Sequence, residues 1–296
     1  MPTGPNRSFL FAPGDHPRRA QKVLDVGADA AILDLEDAVA IAAKVAAREA
    51  VREALTRPRR CRGFVRVNAF ATQWCFGDIA AVVGPTLDGI VLPKLEDVGE
   101  LAALDWMLAA LERERGLPHG AIEVMPILET ALGFARLPEL AARAAALGGR
   151  IRRLAFGAGD YTLDLGLGWS RDEGELAAAR AAIVLQSRAA GLEPPVDTVW
   201  IELRDAEGYA ASCARGVALG FQGRLCIHPD QIPAANAAYA PSAAETARAE
   251  RIVAAFAEAE AQGLASIQVD GRFVDYPIVE RAQRTLSLAR LIAARE

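Results

Sequence analysis

Three short apolar runs in this chain end in charge. Lys94 closes "DGIVLPK", Glu129 closes "EVMPILET", and Asp160 follows "RLAFGAGD". A carboxylate at the end of an apolar strand cannot be buried alone without a cost of several kcal/mol or a shifted pKa, so it requires a metal, a partner or water. Glu129 and Asp160 together supply two hard oxygen donors. Magnesium prefers few protein carboxylates, several waters and substrate oxygens, and this pair suits such an ion with positions left open. A second reading stands beside it, in which Glu129 caps the helix after "ET" or pairs with Arg66.

Other strand ends add to the set. Arg66 ends "GFVRVN", where a planar guanidinium can take a substrate carboxylate through two parallel hydrogen bonds, or instead form an internal salt bridge to Glu36 or Asp37. Glu36 and Asp37 could hold water around a bound ion, or simply be a solvated acidic helix start. Lys94 raises the possibility of a Schiff base, but neighbouring carboxylates would keep its amine protonated and poorly nucleophilic. Gly14, Gly157 and Gly159 permit close backbone approach, and His228 suits a loop-fixing hydrogen bond better than a catalytic base.

The elements that must position these groups follow from the hydrophobic pattern. Strands are expected at Ser8 to Ala12, Ala30 to Leu35, Gly63 to Val67, Gly89 to Leu92, Glu123 to Leu128, Arg152 to Phe156, Thr198 to Ile201 and Arg224 to Ile227. Helical stretches rich in Ala, Leu, Glu and Arg separate them, among them Arg18 to Val26, Lys44 to Leu55, Leu101 to Glu114 and Glu175 to Ala190. Strands that are apolar throughout rather than alternating indicate burial on both faces, as parallel sheets require. Eight such repeats predict an α/β fold, a (β/α)8 TIM barrel, over residues 1–240, with every charge named above at its C-terminal mouth. Residues 241–296 exceed what a barrel needs. They read as a C-terminal helical extension: a helix from Ala243 to Gln262, a hairpin turning at Asp270-Gly271, and a last helix from Ile278 onward.

Composition excludes several classes. The net charge of −5 is spread along the chain, which leaves no electrostatic footprint for nucleic acid. No run approaches the roughly 18 apolar residues of a membrane span, the start does not read as a signal peptide, and a cytoplasmic location is expected. Cys61, Cys75, Cys213 and Cys226 lack metal-binding spacing and read as reduced structural thiols, while three histidines are too few for a multi-histidine cage. Nearly all basic residues are arginine, since Lys22, Lys44 and Lys94 are the only lysines.

The stretches "RSFLFAPGD", "AILDLEDAV" with Lys44 and Arg48, "FVRVN", "DGIVLPKLED", "ILET", "LAFGAGDYTLDLG", "GFQGRLCIHPDQ" and "VDGRFVDYPIVERAQ" occur in this order over almost the whole chain. Together they resemble the citrate lyase β-subunit-like branch of the HpcH/HpaI aldolase superfamily, which also contains malyl-CoA and citramalyl-CoA lyases. The resemblance implies a TIM barrel, Mg2+ on Glu129 and Asp160, and a substrate-carboxylate role for Arg66. It implies that Asp275, in "RFVDYP", is an acid/base supplied across the mouth by a neighbouring subunit, in a homotrimer or hexamer acting on an acyl-CoA and a 2-oxo acid. Basic residues after the first strand, here His16, Arg18 and Arg19, are expected near CoA, although which of them touches it stays open. The expected activity is cleavage of a malyl-CoA or citramalyl-CoA type substrate. Thioester hydrolysis and action on an acyl carrier protein are the alternatives.

Overall fold

A computed structural model describes residues 4–295, so the first three residues of the expected barrel segment and the last residue of the extension lie outside the description. Eight parallel strands close on themselves in chain order: β1 (Ser8–Pro13), β2 (Ala30–Asp34), β3 (Arg62–Arg66), β4 (Gly89–Leu92), β5 (Glu123–Leu128), β6 (Ala155–Phe156), β7 (Val196–Asp197) and β8 (Gly223–Cys226). Closure is made by β1 pairing with β8, Phe9 beside Leu225. β2, β4 and β5 are buried at every position, the consequence of apolar residues on both pleat faces. Phe9, Ile32, Phe64, Val91, Met125, Ile127, Val196 and Leu225 fill the core, with Phe9 and Phe64 packed edge to face at 5.8 Å.

The helices between strands are α1 (Pro17–Lys22), α2 (Lys44–Leu55), α3 (Cys75–Val82), α4 (Val98–Glu114), α5 (Ala131–Ala135), α6 (Leu137–Ala146), α7 (Ala158–Leu165), α8 (Ala177–Ala189) and α9 (Ala206–Leu219), followed by α10 (Gln231–Ala238). Their buried residues fall at helical spacing, as Ala47, Val51, Ala54 and Leu55 do on α2.

Two strands differ from the sequence expectation by more than a single residue at an end. β6 pairs only over Ala155–Phe156 rather than from Arg152, and β7 is Val196–Asp197 rather than Thr198 to Ile201. In both places buried ion pairs stand where the hydrophobic pattern looks for apolar residues. Arg153 is wholly buried between Glu123 and Glu193. Asp197, also wholly buried, receives Arg180 at 3.0 Å and Arg224 at 3.4 Å, and Arg180 reaches Glu173 at 2.9 Å. A charge that would cost several kcal/mol alone is tolerated inside a matched network.

Removing one member leaves the others uncompensated. Asp197→Ala should therefore lower unfolding free energy by about 3 kcal/mol, read from urea midpoints at unchanged slope. A loss well under 1 kcal/mol would mean that water reaches these arginines.

The chain divides into two compact units, residues 6–236 and residues 237–295, with Gly4 and Pro5 grouped with the second; the sequence reading places this boundary at 240. The second unit contains α11 (Ala243–Ala261), an antiparallel hairpin of β9 (Ser266–Val269) and β10 (Arg272–Asp275), and α12 (Tyr276–Ala293). Ser242 and Glu245 form a reciprocal cap on α11. Asp270 and Gly271 both take positive φ, 50° and 73°, as a tight two-residue hairpin turn demands. Ala249, Ile252, Phe256, Val274, Val279 and Ala282 make this unit's own core. Among the described residues no helix is long and apolar enough to cross a membrane.

Candidate active site

Phe11, Asp34, Asp37, Arg66, Glu129, Gly157, Asp160 and Thr198 line one cavity of about 290 Å³ at the C-terminal ends of the strands. Each charged group arrives there for a local reason. Asp34 and Arg66 are the last residues of β2 and β3 and are register partners in the ladder. Glu129 stands just past β5, and Thr130 rather than Glu129 caps α5, accepting from Gly133 N at 3.1 Å. Asp160 sits in the first turn of α7, where the helix dipole favours an acid. The N-terminus of that helix is fixed by Thr198 Oγ1, which accepts from Ala158 N at 2.8 Å.

Lys94 ties the two candidate metal ligands together. Its main-chain N–H donates to Glu129 Oε1 at 2.8 Å, and its Nζ lies 3.0 Å from Asp160 Oδ2. The same ammonium reaches Glu36 at 2.6 Å and Asp37 at 3.3 Å. Lys94 adopts φ 51°, a left-handed conformation that costs a non-glycine residue about 1–3 kcal/mol and recurs at functional sites. Gly157 is needed for a different reason: a Cβ there would fall on the Glu129 carboxylate.

Arg66 donates to both oxygens of Asp34, Nε at 2.8 Å and Nη2 at 2.5 Å, and its Nη1 lies 3.0 Å from Glu36. The internal salt bridge considered for Arg66 is thus formed with Glu36, and chiefly with Asp34, rather than with Asp37. Asp34 also accepts from the main-chain N–H of Glu36 and of Ala38, which bends the chain into the loop that presents Glu36 and Asp37.

A sequence model described as HpcH/HpaI aldolase/citrate lyase matches residues 7–229. The chain belongs to that family. Citrate lyase subunit beta of Leuconostoc mesenteroides subsp. cremoris is 36% identical over 285 residues, 96% of this chain and 93% of the relative. A (3S)-malyl-CoA thioesterase of Cereibacter sphaeroides strain KD131 is 37% identical over 292 residues, 98% and 96% of the two chains. The crystal structure of the protein CitE from Mycobacterium tuberculosis in complex with magnesium, acetoacetate and coenzyme A superposes with a TM-score of 0.75 at 31% identity, covering 97% of this chain and 98% of that one.

In this HpcH/HpaI family member the electrostatics of the mouth are set by burial. Burial pushes the Glu129 carboxyl from 4.5 up to about 8, against the pull of Arg66 and Lys94 and with a further push from Glu36. Burial likewise lifts Glu36, again only partly offset by Arg66 and Lys94. For Lys94, burial alone would lower the pKa, but the hydrogen bond and charge of Glu36 and the charge of Glu129 outweigh it and hold the amine above the usual lysine range. A raised pKa beside Glu36, Asp37 and Asp160 favours the ammonium form, a poor nucleophile, and weighs against the Schiff-base alternative.

A costly, buried carboxylate next to a second one is the donor set that a hard divalent cation would satisfy. No group of three or more His, Cys, Asp or Glu suited to a metal occurs among the described residues, so the protein would supply few ligands and leave the others to water or substrate.

The remaining candidates lie as follows. Gly14 is buried, with its N–H on Asp34 O at 2.8 Å, and a Cβ there would strike that carbonyl. Arg18, His16 and Arg19 are exposed at the start of α1. His228 Nδ1 accepts from Asp230 N at 3.3 Å, a loop-fixing bond. Asp275 belongs to the second unit, where its side chain caps α12 by accepting from Ile278 N at 3.3 Å. The sequence reading gave no role to Asp34 or Thr198; the signal for Asp34 was its position ending a strand adjacent to the one that Arg66 ends.

Proposed function

We propose that this protein is a magnesium-dependent carbon–carbon lyase that cleaves a 3-hydroxy-dicarboxylic acyl-CoA, of malyl-CoA or citramalyl-CoA type, into a 2-oxo acid and acetyl-CoA. The observation that carries this reading is the meeting of Glu129 and Asp160 on one cavity, both bonded to Lys94, with Arg66 beside them. The magnesium, acetoacetate and coenzyme A named with CitE of M. tuberculosis support it.

Glu129 and Asp160 would hold the ion, whose chemistry when bound is Lewis-acid polarisation of hydroxyl and carboxylate oxygens. The retro-aldol step breaks one C–C bond. The hydroxyl proton passes to a water molecule in the cavity, the C–O bond becomes a carbonyl, and the bonding pair passes to the α-carbon of the thioester, giving an enolate that a proton then quenches. Arg66 would bind the terminal carboxylate of the substrate, held in place for it by Asp34 and Glu36. Lys94 adds a fixed positive charge beside the developing anion. Asp275, delivered by a neighbouring subunit of a homotrimer or hexamer, would donate the proton to the enolate and remove it in the synthetic direction. Gly14 and Arg18 would line the approach of the acyl-CoA, and Glu36 and Asp37 would hold water near the ion.

The similarity to a (3S)-malyl-CoA thioesterase supports a second reading, hydrolysis of the thioester at the same site. Incubation with malyl-CoA and Mg2+ separates the two. Glyoxylate and acetyl-CoA are expected in equal amounts. Free malate and CoA without glyoxylate would establish hydrolysis, and turnover only of a substrate carried on an acyl carrier protein would overturn both readings.

A further inference from the structure

Lys44 opens α2 and takes no part in the chemistry above, yet every proton of its ammonium is engaged beside the mouth. It is 6% exposed. Its Nζ donates to Leu35 O at 3.1 Å, to Glu36 O at 2.8 Å and to Asn68 Oδ1 at 2.6 Å, which uses all three ammonium protons. It also lies over the Trp74 ring at 5.3 Å. Among the described residues no carboxylate pairs with it.

A lysine is poorly placed here for stability alone. The N-terminus of a helix repels cations, α2 has no side-chain cap, and a buried ammonium with only neutral partners is costly. The chain otherwise uses arginine almost everywhere, and a planar guanidinium cannot aim three N–H bonds at acceptors converging on one atom.

What the contacts achieve is local. Leu35 and Glu36 follow β2 directly and lead into Asp37, and Lys44 holds the carbonyls of both. Asn68, just past β3, grips the same Leu35–Asp37 turn from the other side: its Nδ2 donates to Leu35 O at 2.8 Å. Asn68 is in turn anchored on Asp78 at 2.7 Å, and Asp78 on Arg48 at 2.8 Å. The side chain of Glu36 then points to Arg66 and to Lys94. Glu36 and Asp37 draw the Lys94 ammonium toward the β2 side, and that same ammonium is also on Asp160.

We infer that Lys44 is a positioning residue, which fixes the Leu35–Asp37 turn so that Glu36 and Asp37 share the Lys94 ammonium and leave Asp160 able to bind a divalent cation. The inference rests on the proposed roles of Glu129 and Asp160. Lys94 already lies 3.0 Å from Asp160 while Glu36 and Asp37 share its charge; when the turn is released and that sharing is lost, Asp160 is left as the main counter-ion of the ammonium, which then competes with the metal.

The test is calorimetric titration of the purified chain with Mg2+, alongside thermal unfolding in chelator. Lys44→Met should weaken Mg2+ binding by about tenfold or more, the range typical for groups that orient metal ligands. The sign is informative, because deleting a positive charge would by itself tighten cation binding. A role confined to folding would lower the melting temperature and leave Mg2+ affinity unchanged or tighter, which would overturn the inference. Lys44→Arg should bind as weakly as Lys44→Met, and full recovery by arginine would reduce the role to charge and overturn the assignment. Should Lys44→Met fail to fold, Asn68→Ala releases the same turn from the opposite side and decides the matter by the same measurement. If the wild-type protein takes up no Mg2+, the functional reading falls and this inference with it. If wild type binds and the variants match it, the inference alone falls.

Discussion

Glu129→Gln and Asp160→Asn are each expected to reduce turnover by roughly a thousandfold and to abolish magnesium dependence, since Lewis-acid stabilisation is worth several kcal/mol and each tenfold in rate corresponds to 1.36 kcal/mol. The two variants should differ in stability. Burial raises the Glu129 pKa from 4.5 to about 8 without metal, so its contribution to folding is fully present below about pH 4.5 and is lost as pH rises through 8. Glutamine does not titrate and escapes that loss. In chelator, Glu129→Gln should therefore melt higher than wild type at pH 9, with the gap closing near pH 4. An inactive but more stable variant cannot be dismissed as misfolded. Retention of magnesium-dependent turnover would exclude Glu129 as a ligand, and a lower melting temperature at pH 9 would show that Lys94 and Arg66 already compensate the carboxylate.

The same burial explains why many residues of this candidate site stand out in the sequence. A charged residue that closes an apolar run is conspicuous, and Arg66, after the short run Gly63 to Val65, and Lys94, Glu129 and Asp160, after longer ones, were all legible for that reason. Boundaries were accurate wherever pattern and packing agree, as in β4, β5 and α2, and at the Asp270-Gly271 turn. They failed at β6 and β7, where Arg153 and Asp197 are buried charges whose partners are distant in sequence. A hydrophobic pattern registers a charge but not the partner that makes its burial tolerable. Asp34 escaped assignment for a related reason. Its pairing with Arg66 follows from strand register, which emerges only once the barrel is closed. Lys44 was visible as part of a motif, but its work is done on main-chain carbonyls, and no residue type in the sequence announces an acceptor of that kind.

Asp275→Asn should lower turnover by about a thousandfold, within the span typical of losing a general acid or base, while leaving Mg2+ affinity and melting temperature close to wild type. The geometry makes this substitution unusually clean. Asp275 caps α12 through one side-chain oxygen, and asparagine offers the same acceptor with equal capping preference. Asparagine cannot carry the proton. Asp275→Ala should show the same loss of turnover together with a stability decrease of about 1 kcal/mol from the missing cap. If Asp275 is only a cap, the order reverses: Asn is fully active and Ala is destabilised but active. Subunit mixing then tests where the residue acts. Inactive Glu129→Gln and inactive Asp275→Asn chains, unfolded and refolded together in equal amounts, would regenerate about a quarter of the wild-type sites in a cyclic oligomer if each mouth takes Asp275 from its neighbour. No recovery would mean that Glu129 and Asp275 of one chain serve the same site, and the shared-mouth assignment would be lost even though the catalytic one survived.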